Sequence, residues 1–147
     1  MKKIFLIILT LILSTNKSYA LNFNENLIAY YNKNKGGTSM IYVLNRCSGV
    51  TGYFHSMLEQ EPNQQQASKI YLNISSTMTS RASEAYSKHS KIDINKSMDE
   101  NLKRAVSMMK LYQADAKENF LKTGAYINGI VKEDLDYCVS LEKEFRK

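Results

Sequence analysis

Apolar side chains recur every three or four residues through most of this 147-residue chain, and no useful run alternates apolar with polar. A half-buried strand needs that alternation, because its side chains point to opposite faces in turn. The pattern therefore excludes a sheet and predicts an all-α protein. Met40, Val43, Cys47, Val50, Phe54 and Met57 share one face of a helix expected over Ser39–Glu59. Pro62 interrupts the pattern and suits the first turn of the next helix, expected over Asn63–His89 with the stripe Ala67, Ile70, Tyr71, Ile74, Met78, Ala82 and Ala85. A connection over Ser90–Lys96 leads to Ser97-Met98-Asp99-Glu100, which reads as a capping box. The third helix then carries Met98, Leu102, Ala105, Met109, Tyr112, Ala116 and Phe120, with Gly124 as its C-terminal cap. After a loop over 124–130, the fourth stripe is Val131, Leu135, Cys138, Leu141 and Phe145. Glu133, Asp134 and Asp136 near its start, and Lys143, Arg146 and Lys147 near its end, complement the helix dipole.

These stripes match one another as an up-down-up-down four-helix bundle over 39–147. Ala67 then faces Phe120, Tyr71 Ala116, Met78 Met109, Ala82 Ala105, and Ala85 Leu102. Phe54 faces Ile70 and Val50 faces Ile74. Residues 21–38 form a short leading helix or a loose arm, in which Phe23, Leu27 and Tyr31 share a face. Asn22 is the expected cap there, with Glu25 at the third position, and Gly36-Gly37 is the expected stop.

The two cysteines fit the same frame. Cys47 opposite Cys138 places them at one level on antiparallel neighbours, with Met40 then facing Phe145, Val50 Leu135 and Phe54 Val131. A disulfide brings Cα atoms to about 5.5–6 Å, closer than the usual helix–helix separation of about 8–10 Å. Ser48, Gly49 and Gly52 are small enough to allow that approach. Gly costs about 1 kcal/mol in a helix interior relative to Ala, so these two glycines point to a close neighbour. A redox role would favour Cys-x-x-Cys spacing, which is absent, so a structural disulfide is expected.

The first twenty residues read as an address. Lys2 and Lys3 precede a run from Ile4 to Leu13 that is apolar except for Thr10, and a more polar stretch ends in Ser18-Tyr19-Ala20. This is the three-part pattern of a secretory signal peptide cut after Ala20. The run is about half of the roughly 20 apolar residues a spanning helix needs. No later stretch is long and apolar enough, so no transmembrane segment is expected in the mature chain. The formal charge of +6 changes meaning accordingly. Without Lys2, Lys3 and Lys17 the mature chain carries 17 basic and 14 acidic residues. They are scattered, whereas a nucleic-acid footprint clusters on one face, so nucleic acid is excluded as a partner. Abundant Asn, Lys and Ile suggest an AT-rich bacterial genome, which makes the periplasm or secretion the expected destination. The sequons Asn73-Ile74-Ser75 and Asn95-Lys96-Ser97 then read as chance matches.

No catalytic signature appears. Covalent haem needs Cys-x-x-Cys-His. The two histidines, His55 and His89, fall at opposite poles of the expected bundle and cannot share an iron, and His55 with Met57 points differently around its helix. Paired Glu-x-x-His motifs for a carboxylate metal site are absent, and Met108-Met109 reads as core filling rather than a copper site. No metal, cofactor or catalytic residue is expected. One polar constellation stands out: Arg46 beside Cys47, Asp134 one turn before Cys138, Tyr42 one turn before Arg46, and Tyr137 flanking the second cysteine. It reads as a buried salt bridge with tyrosine cover, or as the lining of a small ligand pocket. The functional expectation is a non-enzymatic binding module for a protein or envelope partner, with its nine mature-chain tyrosines as interface candidates. The alternatives are a binder of a small ligand or metal in the bundle interior, and an envelope enzyme or its inhibitor.

Overall fold

The computed structural model describes residues 25–147, which are all-helical with no strand among them. The helices are α1 (Leu27–Lys33), α2 (Gly37–Glu59), α3 (Gln65–Ser90), α4 (Ile94–Thr123) and α5 (Gly129–Phe145), with a 3-10 turn, Pro62–Gln64, leading into α3. The expected leader, together with Asn22 and Phe23, lies outside the described residues. None of the described helices is long and apolar enough to cross a membrane.

Local chemistry explains most boundaries and corrects some expected ones. Asn26, not Asn22, caps α1 by accepting from the Ala29 N–H at 2.8 Å. Gly36, in the left-handed region at φ 151°, precedes α2 rather than ending α1. Asp93 caps α4 by accepting from Asn95 and Lys96, so α4 starts before the expected capping box. Ser97 is instead buried and donates to the Ser83 carbonyl at 2.6 Å. Asn128 caps α5 by accepting from the Val131 N–H. Gly124, at φ 76°, closes α4 as expected, because glycine adopts that conformation without a Cβ penalty.

The long helix α2 is central. Every residue from Val43 to Thr51 is buried, so α2 has no solvent face over those turns, rather than the single apolar stripe expected. Helix α3 runs beside it at the expected level. Ser48 bonds Ser75 and Thr79, and Phe54 meets the Tyr71 ring at 5.6 Å. The face of α3 differs, since Ile70 is exposed. Helix α5 reaches α2 through the disulfide, and α1 lies on both α2 and α5. The leading segment is thus part of the body, with Leu27 fully buried.

The up-down-up-down four-helix arrangement is not confirmed. In that arrangement the first and third long helices lie on a diagonal, yet α2 and α4 are close neighbours, while the backbones of α4 and α5 barely approach each other. The α3–α4 register also differs. Ala85 opposite Leu102 would place Ser83 near Arg104, but Ser83 meets Ser97 and Met98. Helix α4 also turns a different face inward: Leu102 and Phe120 are exposed, while Ser97 and Asn101 are buried.

Gly49 records the α2–α4 contact. A Cβ there would lie 2.3 Å from the Met108 Cβ and 3.0 Å from backbone atoms of Met108 and Met109. Ser48 and Gly52 likewise face α3 and α4, not the disulfide partner as expected. Gly49→Ala should lower stability by about 1–3 kcal/mol through overpacking, despite alanine's better helix propensity. Gly52→Ala, whose Cβ meets Ser75 Oγ at 3.4 Å, should stay within about 1 kcal/mol of the parent. Urea unfolding of both variants measures the difference, and an unchanged midpoint for Gly49→Ala would refute the close contact.

Candidate functional site

The polar constellation expected around the cysteines is assembled, with one member added and one displaced. Arg46 and Asp134 are both fully buried. Arg46 donates from Nε at 2.9 Å and from Nη2 at 2.6 Å to the same oxygen, Asp134 Oδ2. The Tyr112 hydroxyl accepts from Arg46 Nε at 3.0 Å and donates to Asp134 Oδ2 at 2.5 Å. The Leu27 N–H donates to the other carboxylate oxygen at 2.7 Å, and Arg46 Nη2 also reaches the Glu25 carbonyl at 3.0 Å. Tyr42 accepts from Arg46 Nη1 at 3.4 Å. Tyr137 instead lies half-buried near Tyr31 on α1. Asp134 therefore ties four helices together from its place near the start of α5.

The electrostatics follow from burial. Desolvation pushes the Asp134 carboxyl above its ordinary value, while Arg46, Tyr112 and the Leu27 N–H pull it back. Burial, reinforced by the Asp134 charge, raises Tyr112 well above its ordinary value, which keeps its hydroxyl protonated as a donor. Burial opposes the Arg46 charge, but Tyr112 and Asp134 outweigh it and raise Arg46 above its ordinary value. Nucleophilic or general-base chemistry needs a group that reactant can approach. The Arg46–Asp134 pair faces its own partners, so this arrangement holds helices together.

A second polar seam crosses α2, α3 and α4. Asn45 donates to Asn101, Asn101 to the Ser97 carbonyl, Ser97 to the Ser83 carbonyl, and Ser83 to the Thr79 carbonyl. Thr79 and Ser48 share the last bond. Asn45 Oδ1 is a buried acceptor without a partner among the described residues.

The surface offers more. One groove of about 390 Å³ lies between α3 and α4, floored by Ser48, Gly52, Ser75 and Thr79 and walled by Leu72, Leu102, Val106 and Met109. Another, of about 690 Å³, lies where Tyr53 and Met57 of α2 meet Gln113, Ala116, Phe120 and Leu121 of α4 and Tyr126 of the loop. Leu102 is 53% exposed and Leu121 77%. The Phe120 and Tyr126 rings stack at 4.2 Å. The sequence pattern does not point to either groove, because it puts Leu102 and Phe120 in the core, and both are exposed. The tyrosines are not the surface feature expected. Among the described residues only Tyr126 is exposed, Tyr53 and Tyr112 are buried, and the rest are half-buried.

His55 binds the Ser68 hydroxyl at 2.8 Å near the start of α3, while His89 ends it. At 1.5 Å per residue that separates them by roughly 30 Å. No group of three or more His, Cys, Asp or Glu among the described residues is placed to hold a metal ion. Comparison with protein-family models, with curated proteins and with solved structures finds no match. Its class rests on its own architecture: an all-helical body pinned by one disulfide, with open apolar grooves along α4.

Proposed function

We propose that this chain is an exported, non-enzymatic binding module that engages a protein partner through the surface of α4. The observation that carries the reading is the set of large apolar side chains left in the open there. Leu72, Leu102 and Val106 rim one groove, and Phe120, Leu121 and Tyr126 rim the other, all exposed. Apolar side chains grouped this way on a surface mark interaction sites. Export is supported by the Cys47–Cys138 disulfide, since such bonds persist in oxidising compartments, and by the leader pattern ending at Ala20. Intact-mass analysis of the secreted or periplasmic protein should find residues 1–20 removed and two hydrogens lost at the cysteines. A full-length mass or free thiols would refute export. A photo-crosslinker placed at Val106 or Leu121 in the native host should capture a partner protein, and silence at both positions would refute the binding reading.

A small ligand near the bundle interior is the second reading, favoured by one observation. Asn45, with its unpartnered Oδ1, lines a groove of about 210 Å³ together with Thr38, Tyr42 and Arg104. A thermal-shift screen of small zwitterions should raise the melting temperature if that groove is a site. Arg104→Ala should then abolish the shift.

A further inference from the structure

The two large grooves share a wall. Leu102, Val106, Met109, Gln113, Ala116 and Phe120 alternate in steps of four and three along α4, which keeps them on one helical face. The first three line the groove against α3, and the last three line the groove against α2. The grooves therefore lie end to end along α4, from Met98 to Leu121, a length of roughly 35 Å at 1.5 Å per residue. That is long for a small molecule and matches a helix of several turns. The spacing is also that of a coiled-coil seam, whose apolar residues recur on average every 3.5 positions.

The charge beside the seam selects the occupant. Lys103, Lys110 and Lys117 directly follow Leu102, Met109 and Ala116, so one lysine flanks the seam in every heptad. All three are exposed. None forms an ion pair among the described residues, although their neighbours on the same helix do: Arg104 with Glu100, and Lys122 with Glu118. We infer that α4 is a docking rail for an acidic amphipathic helix of a partner protein, with the apolar face of that helix in the two grooves and its carboxylates opposite Lys103, Lys110 and Lys117. A second copy of α4 fits poorly. An antiparallel pair sets the lysine row against itself, and a parallel pair sets it toward the positions of Ala105 and Tyr112, which are buried in the core, and of Asn119, so it meets no acidic side chain.

This inference rests on the binding-module reading, and the experiment separates the two. Two labelled synthetic amphipathic helices of about four heptads, with identical leucine seams, carry either Glu or Lys in the flanking positions. Fluorescence anisotropy with the mature protein should show the Glu helix bound at least about tenfold more tightly than the Lys helix. Lys103→Glu, Lys110→Glu and Lys117→Glu together should invert that preference, while Leu102→Asp with Val106→Asp should remove both affinities. All these positions are exposed, and circular dichroism checks that the variants fold. Equal binding of both peptides, or binding of neither, overturns the proposal. So does tighter binding to phosphatidylglycerol vesicles than to the Glu helix, or a dimer in sedimentation that Leu102→Asp dissolves. If the peptides fail while the crosslinker at Val106 or Leu121 still captures a protein, the acidic-helix occupant falls and the binding-module reading stands.

Discussion

Asp134→Ala is expected to cost about 3–5 kcal/mol of folding stability, the typical penalty for breaking a buried ion pair from one side. The size follows from what is left behind. Arg46 is fully buried and delivers two N–H groups to the lost oxygen, so its charge stays in a low-dielectric interior without its counter-ion. The Tyr112 hydroxyl and the Leu27 N–H lose their acceptor as well, and each unsatisfied buried donor adds about 1–3 kcal/mol of desolvation cost. Arg46→Met combined with Asp134→Leu should recover the part of the loss that comes from the uncompensated Arg46 charge, because it removes both charges together and keeps apolar volume, while the Tyr112 hydroxyl and the Leu27 N–H stay without an acceptor. Urea unfolding of the two single variants and the double measures the coupling. A loss below about 1 kcal/mol for Asp134→Ala would show that the pair is solvated. Amide exchange at Leu27 gives a local readout, since that N–H donates to Asp134 and should exchange faster in the variant.

The same pair shows where the amino-acid sequence was informative. Arg46, Tyr42 and Asp134 are recognisable because Arg46 adjoins Cys47, Tyr42 lies one turn before Arg46 and Asp134 one turn before Cys138, and the two cysteines have a strong reason to pair. Tyr112 was not, because it comes from a helix with no such marker. The α3–α4 register failed for a related reason. Ser83 meets Ser97 rather than the neighbourhood of Arg104, a shift of seven positions, and an apolar helical pattern superimposes on itself after seven. The pattern could not distinguish the two alignments. The buried polar residues add to the error: Asn45 and Ser48 resemble a solvent face until Asn101 and Thr79 are brought to them, and Thr51 bonds the Cys47 carbonyl one turn back on its own helix. The apolar stripe alone puts Leu102 and Phe120 in the core, which hides the groove surface of α4.

Removing the disulfide through Cys47→Ala and Cys138→Ala together should cost about 4–5 kcal/mol. The chain-entropy model gives this for the roughly 90-residue loop it closes. Domains of this kind have a total stability of about 5–15 kcal/mol, so the variant should lie close to unfolding. The loss should also be uneven. Helix α5 is held to α2 by two fixings one residue apart on α2 and one turn apart on α5: Cys47–Cys138 and Arg46–Asp134. Helix α1 is anchored to the same carboxylate through Leu27. When the covalent fixing is gone, the ion pair carries the attachment of both helices, with Val131 and Leu135 packing beneath. Adding Asp134→Ala to the cysteine-free chain should therefore release α1 and α5 together. Hydrogen exchange should show their amides losing protection as one unit, while α2, α3 and α4 stay protected through the Ser48–Thr79 and Asn45–Asn101 bonds and the Gly49–Met108 contact. Coupling of this kind is expected for fixings that share one interface. Uniform loss of protection across all five helices would show instead that the fold is a single cooperative unit, and that the disulfide constrains the unfolded chain without holding α5 in place.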